Sequence, residues 1–279
     1  MFGRAGARRV AESVGGGRTL APVERWTTWL ESGAGPWWLW AAASLAFGVG
    51  LFARYVVLVG LAEWAFGGRG PLGRRFAGRR VRLTERARAA DQTRRELRYA
   101  LATSLVFGVS TAALAWLWQA GALRVYTDVR EYSLWWLPAS LVAAMLLHET
   151  YYYWLHRWMH RPSVYPWLHR GHHDSIVTSG WTSFAFDPGE AVLQAAILPA
   201  ILAVVPMHVA VLVAWLLLMT LSALVNHLGV ELWPLPLERT WWGRNVIGAT
   251  HHGLHHTAFV KNYGLYFTFW DRWMGTEAE

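Results

Sequence analysis

Long apolar runs constrain this chain more than anything else in it. Residues 36–64, PWWLWAAASLAFGVGLFARYVVLVGLAEW, are apolar almost throughout, with Arg54 as the internal exception. Residues 99–123 and 133–156 form two more such runs, and 191–228 a fourth. A hydrocarbon core takes about 20 apolar residues as a helix, and in lipid only helices and closed barrels satisfy every backbone N–H and C=O. The runs therefore predict transmembrane helices. The 191–228 run is long enough for two passes, broken near Pro206, whose missing N–H favours a turn or kink. The expected fold class is all-α, a multi-pass transmembrane bundle of about four to five spans.

Composition agrees and narrows the chemistry. The chain is 54% hydrophobic and 16% charged, against about 25% charged in soluble domains. Its 20 Trp suit lipid–water boundaries. There is no cysteine, which excludes disulfides, thiolate metal sites and Cys nucleophiles. The formal charge of +8 rests on arginine, Lys261 being the only lysine. These cations cluster beside the apolar runs, the pattern of a membrane protein rather than of a nucleic-acid binder. Residues 67–98 carry eleven Arg and three acids, so this loop is expected on the cytoplasmic side. Alternating passes then bring 156–190 and 227–279 to the same side. Residues 1–35 hold no apolar core of signal-peptide length and are expected as a basic disordered tail. They carry five Arg and fall on the opposite side, a conflict decided by the denser loop. Residues 36–279 read as one membrane-embedded domain, with its metal-binding part over about 148–276.

All twelve histidines lie between His148 and His256. His156 and His160 are spaced i, i+4, which sets two imidazoles on one helical face. His169, His172 and His173 form an HxxHH box, and His252, His255 and His256 repeat it. In each box the first and fourth positions are expected to share a face, with the fifth turned by about 100° toward a second ion. Eight imidazoles exceed what one ion can use, so two ions are expected. An all-nitrogen donor set suits iron, zinc or copper without choosing among them.

With these boxes the chain resembles the fatty acid hydroxylase superfamily, also called the sterol desaturase family. The resemblance runs from about His148 to Thr276, on HETYYYWLHRWMH, YPWLHRGHHDS, WTSFAFDPGEA, NHLGVE, HHGLHH and NYGLYFTFWDRWMGT. It implies a multi-pass enzyme with a histidine-held dimetal centre, generally di-iron, that uses O2 and two electrons to hydroxylate or desaturate a lipid. It assigns His156, His160, His169, His172, His173, His252, His255 and His256 as ligands, and His227 of the NHLG element as a further one. Beside the ligands, His148, Glu149, Asp187, Glu190 and His251 are expected to support the site. Glu149 stands where the family has an acid and is expected to accept a ligand histidine's second N–H. Asp187 replaces a histidine that many relatives carry before the proline of FDPGE, which leaves ligation there open. Asp271 is expected to pin structure, and His208, in the predicted outer turn, to be structural. Tyr151, Tyr152, Trp154 and Trp181 are aromatic candidates for lining a lipid path. The two electrons require a separate electron-transfer protein, since the chain has no Cys and no Gly-rich dinucleotide loop. Two other classes stay open on sequence: a divalent-metal transporter, and a zinc-dependent lipid hydrolase, zinc being an ion a purified sample can also carry.

Overall fold

The computed structural model describes residues 37–67, 70–81, 83–84, 87–233 and 240–278. The expected tail over 1–35 lies outside them. Two long helices, α1 (Trp37–Phe66) and α2 (Gln92–Gln119), pack side by side. Gly48 and Gly108 make this possible. A Cβ on Gly108 would stand 2.3 Å from the Ser44 carbonyl and 2.5 Å from the Gly48 nitrogen, so the two backbones touch where only hydrogen fits. Small residues at such crossings are how helices associate in lipid, where apolar burial drives little.

α2 begins seven residues before the apolar run predicted. The extra turns carry Glu96, which is fully buried. Its carboxylate accepts from Arg88 Nη2 (2.9 Å), Gln92 Nε2 (2.8 Å) and Thr182 Oγ1 (2.7 Å). That satisfied carboxylate lets a charged segment extend a membrane helix inward from the Arg-rich loop.

A second group follows: α3 (Trp136–Met159), the single turns α4 (Tyr165–Leu168) and α5 (Arg170–His173), α6 (Pro188–Val204) and α7 (Val209–His227). A two-residue parallel bridge pairs β1 (Val125–Tyr126) with β2 (Met207–His208). The short helices α8 (Trp241–Asn245), α9 (Ala249–Ala258) and α10 (Phe269–Trp273) complete the described chain. Ala144, Ile201, Leu202, Met207 and Trp215 form the core between α3, α6 and α7. Leu45 and Val57 of α1 and Val213 and Leu217 of α7 face outward, uncovered, as lipid-facing side chains do.

Among the described residues three helices, α1, α2 and α7, are long and apolar enough to cross a membrane, and the chain is an integral membrane protein. The expected fourth and fifth spans fall short for different reasons. α3 loses apolarity in its second half, HETYYYWLHRWM, where the histidine chemistry sits. α6 has 17 residues, about 25 Å at 1.5 Å per residue.

The bundle has two distinct ends. At one, Trp136 Nε1 donates to the Pro206 carbonyl (2.7 Å), beside the β1–β2 bridge. His208 lies here: its Nε2–H donates to the Thr127 carbonyl (3.0 Å) and its Nδ1 caps α7 by accepting from Ala210 N (3.1 Å). His156 stands twenty residues along α3 from Trp136, roughly 30 Å away, a full hydrocarbon thickness. The last turns of α3 and α7 and the first turn of α6 therefore meet at the other end.

Gly108→Ala should force α1 and α2 apart and cost about 1–3 kcal/mol, a fall in Tm of several degrees in detergent. Gly50→Ala, where a Cβ meets nothing within 4 Å, should leave the melting curve unchanged or raise it slightly.

Candidate metal centre

Nine histidines converge at that end in two groups. His156, His160, His169, His173 and His255 form one, with donor nitrogens all within 4.8 Å of one another; His172, His227, His252 and His256 form the other on the same measure. All nine histidines expected as ligands are therefore brought together, four elements each supplying part. α3 delivers His156 and His160, and α5 with its N-cap delivers the second box. α7 ends on His227, and α9 carries the third box.

The partition corrects the expected sharing within each box. His169 and His173 go to the first group and His172 to the second; His252 and His256 go to the second and His255 to the first. The i, i+4 pair stays together and the i+3 residue crosses over. On a helix i+4 is displaced by only about 40°, whereas i+3 stands about 60° to the other side. Each box thus sends two imidazoles one way and one the other, and the boxes interlock.

Proton positions follow from the far ring nitrogens. His156 Nδ1 lies 2.8 Å from the Tyr263 carbonyl, His172 Nδ1 3.2 Å from Ala185 O, His227 Nδ1 2.7 Å from Ala223 O and His255 Nδ1 2.6 Å from Lys261 O. A carbonyl only accepts, so each Nδ1 carries the proton and each Nε2 is a bare lone pair. His169 Nδ1–H is held likewise by the Glu190 carboxylate at 2.8 Å.

Four of these five bare nitrogens face one another in two pairs, and His255 faces His160 and His173. His156 Nε2 is 2.9 Å from His169 Nε2, and His172 Nε2 is 3.3 Å from His227 Nε2. His255 Nε2 stands 3.1 Å from His160 and 3.0 Å from His173, and His252 Nε2 stands 2.9 Å from His227. Lone pairs at such range repel unless a cation lies between them. Burial weighs against protons as that cation. His169, His172, His173, His252, His255 and His256 have pKa values well below the ordinary histidine value, first from desolvation and then from neighbouring imidazoles; desolvation takes His160 to about 2. Metal–imidazole bonds of about 2.0–2.1 Å place donors at right angles roughly 3 Å apart. The spacing fits two ions held by neutral imidazoles.

The supporting residues divide by what they hold. Glu190 grips a ligand ring directly, at His169, and itself accepts from Gln194 Nε2 (2.8 Å). Asp187 accepts from the Gly171 N–H (2.8 Å) and so fixes the turn that carries the second box. Glu149, expected on a ligand histidine, takes backbone instead: the N–H groups of Leu265 and Tyr266 at 3.0 and 2.7 Å. Asp271 pins structure, accepting from Tyr263 N and Gly264 N (2.9 Å each) and Thr276 Oγ1 (2.8 Å). Those bonds set the Tyr263 carbonyl against His156. His251 belongs to neither group; its backbone carbonyl accepts from Asn262 Nδ2 (2.9 Å), and its buried ring has no polar partner.

A cavity of about 340 Å³ opens onto the second group. Its walls run along α7 from Val209 through Leu216 and Thr220 to His227, roughly 27 Å of helix. His252, His148 and Tyr152 line the histidine end, and Leu123, Val125 and Leu202 the far end. His148 is anchored there by Tyr266 Oη at 2.9 Å. Of the four aromatics expected to line a lipid path, Tyr152 does so. Tyr151 donates to the Leu193 carbonyl (2.7 Å), Trp154 packs on Trp270, and Trp181 packs on Tyr55.

Sequence comparisons cover the segment that carries these histidines. The sequence model of the fatty acid hydroxylase family matches residues 141–276. The chain is 31% identical over 168 residues to a Delta(7)-sterol 5(6)-desaturase of Gibberella zeae, covering 56% of this chain and 47% of that protein. It is 30% identical over 184 residues to the lathosterol oxidase of Homo sapiens, covering 65% and 60%. With a methylsterol monooxygenase of Aspergillus fumigatus the identity is 35% over 148 residues, covering 51% and 48%. The chain thus spans about half to three-fifths of the length of these relatives. No solved structure matches it.

Glu190→Gln should weaken metal retention about 10- to 100-fold by loosening His169, read as metal content against a graded chelator. His251→Ala should retain metal like the unaltered protein.

Proposed function

We propose that this chain, whose residues 141–276 match the fatty acid hydroxylase family, belongs to that family and is a membrane di-iron oxygenase of lipids. The observation that carries this reading is the meeting of two groups of converging imidazole nitrogens with the end of a long apolar cavity. His156, His160, His169, His173 and His255 would hold one iron, and His172, His227, His252 and His256 the other. Such a pair, when bound, supplies O2 activation and the two-electron oxidation of an unactivated C–H bond.

The chain's own groups do the rest. Hydrocarbon walls exclude water and align a lipid chain along α7. His227 and His252 belong to both the cavity wall and the second metal group, so a carbon reaching that end lies against the centre. The carbonyls of Tyr263, Ala185, Ala223 and Lys261 and the Glu190 carboxylate lock the tautomers of His156, His172, His227, His255 and His169, which keeps those five Nε2 atoms pointed inward. Hydroxylation balances as one C–H, one O2, two electrons and two protons giving C–OH and water; desaturation draws on the same oxidant and takes two hydrogens from the lipid. The electrons come from a separate donor protein, which the cysteine-free chain does not itself replace. The Arg-rich loop supports a cytoplasmic location for the histidine end. The substrates named for the relatives, sterols among them, support a sterol or acyl lipid here.

Anaerobic purification followed by metal analysis should find two irons per chain, and added reductant with lipid extract should drive O2 uptake and give an oxidised lipid. His172→Ala should abolish that uptake by at least a hundredfold. One zinc per chain without O2 consumption would instead establish a hydrolase-type site.

A further inference from the structure

Arg54 is a cation inside a membrane helix, and among the described residues no carboxylate pairs with it. It lies eighteen residues into the thirty-residue α1, and it lines the apolar cavity with Leu51, Phe107 and Phe184. Its Nε is buried without a hydrogen-bond partner. Among the described residues the ion pairs are Arg88–Glu96, His169–Glu190 and Arg272–Glu277, and Arg54 has none. Ionisable side chains inside spans are costly and mark ligand paths or pair with counter-charges. The guanidinium borders the cavity.

Its place along the cavity is defined by its neighbour. The Tyr55 ring packs on Phe184 at 5.6 Å, Phe184 on Phe186 at 6.2 Å, and Phe186 on His172 at 5.3 Å. Arg54 thus stands toward the histidine end, and the hydrocarbon walls extend from it to Leu123, Leu202 and Val209.

Taking the cavity as the lipid site of the proposed function, we propose that Arg54 binds the anionic oxygen head of the lipid, and that the ligand is a long-chain carboxylic acid or similar single-chain anion. A guanidinium presents a planar fork of donors that matches a carboxylate bidentately. The acid head lies near Arg54, and the methyl end points toward the β1–β2 bridge. A neutral sterol can accept a hydrogen bond from the guanidinium but leaves its charge unbalanced in this site.

Tryptophan quenching by a chain-brominated fatty acid and by its methyl ester, on the full-length protein in neutral detergent at alkaline pH, tests this without turnover. The acid should bind at least tenfold more tightly than the ester. Arg54→Gln should erase that preference while ester binding and metal content hold, and Arg54→Lys should keep most of it. Equal binding of acid and ester to the unaltered protein would overturn the proposal, whether or not the Arg54→Gln protein folds; so would a preference that survives in Arg54→Gln. Displacement of the acid by an anionic phospholipid at equal concentration, but not by phosphatidylcholine, would reassign the head to a bilayer lipid and overturn the single-chain assignment. A protein that prefers the acid yet consumes no O2 would keep this inference and refute the oxygenase reading.

Discussion

Nine imidazoles turned on one another, five of them with Nε2 fixed as a lone pair, are the constraint around which this molecule is arranged. Left alone they repel, and burial denies them the protons that would relieve the repulsion. Their order therefore comes from behind, through the Nδ1–H groups. Three of the five partners that hold those protons are carbonyls of loops or helix ends, at Tyr263, Ala185 and Lys261. A fourth is a helical carbonyl, Ala223, and the fifth is a carboxylate, Glu190. Each must be fixed in turn. Asp271 and Glu149 bind the backbone of residues 263–266, and Asp187 binds the turn of the second box. Acids expected near the metal thus act one layer further out, on the backbone that aims the rings.

The same constraint explains the shape of the bundle. Four elements must reach one place, so α3, α6 and α7 bring their polar turns to a common end and leave the opposite end to a short bridge. α3 gives up the apolarity of a span to do so, because its last turns carry His148, Glu149, His156 and His160. The apolar cavity is what remains between helices that converge on a polar cluster while packing through small and apolar side chains elsewhere. It ends on His227 and His252 because α7 and α9 meet there.

Much of this was legible in the residues. Apolar runs predicted the long helices, and the two HxxHH boxes with the HxxxH pair identified eight of the nine convergent histidines. His227 came from the resemblance of NHLG to the family pattern, for a lone histidine at a span's end carries no spacing signal. Arg54 showed only as an exception in an apolar run, and nothing in one dimension ties it to Phe184 or to a cavity. Carbonyl partners such as Tyr263 and Lys261 were illegible for a simpler reason: every residue has a carbonyl, so sequence cannot mark the one that matters.

What the sequence determined by itself was local and periodic: apolar length, which fixes membrane helices, and histidine spacing, which fixes faces. Tertiary structure decided how those faces pair. It sent the i+3 histidine of each box to one group and the i, i+4 pair to the other, moved Glu149 from ring to backbone, and set an unpaired Arg54 against open space. These outcomes depend on where helices distant in sequence cross, and contacts as close as Gly48 on Gly108 set those crossings. A helix's own period says which side chains share a face. Only its neighbours say what that face meets.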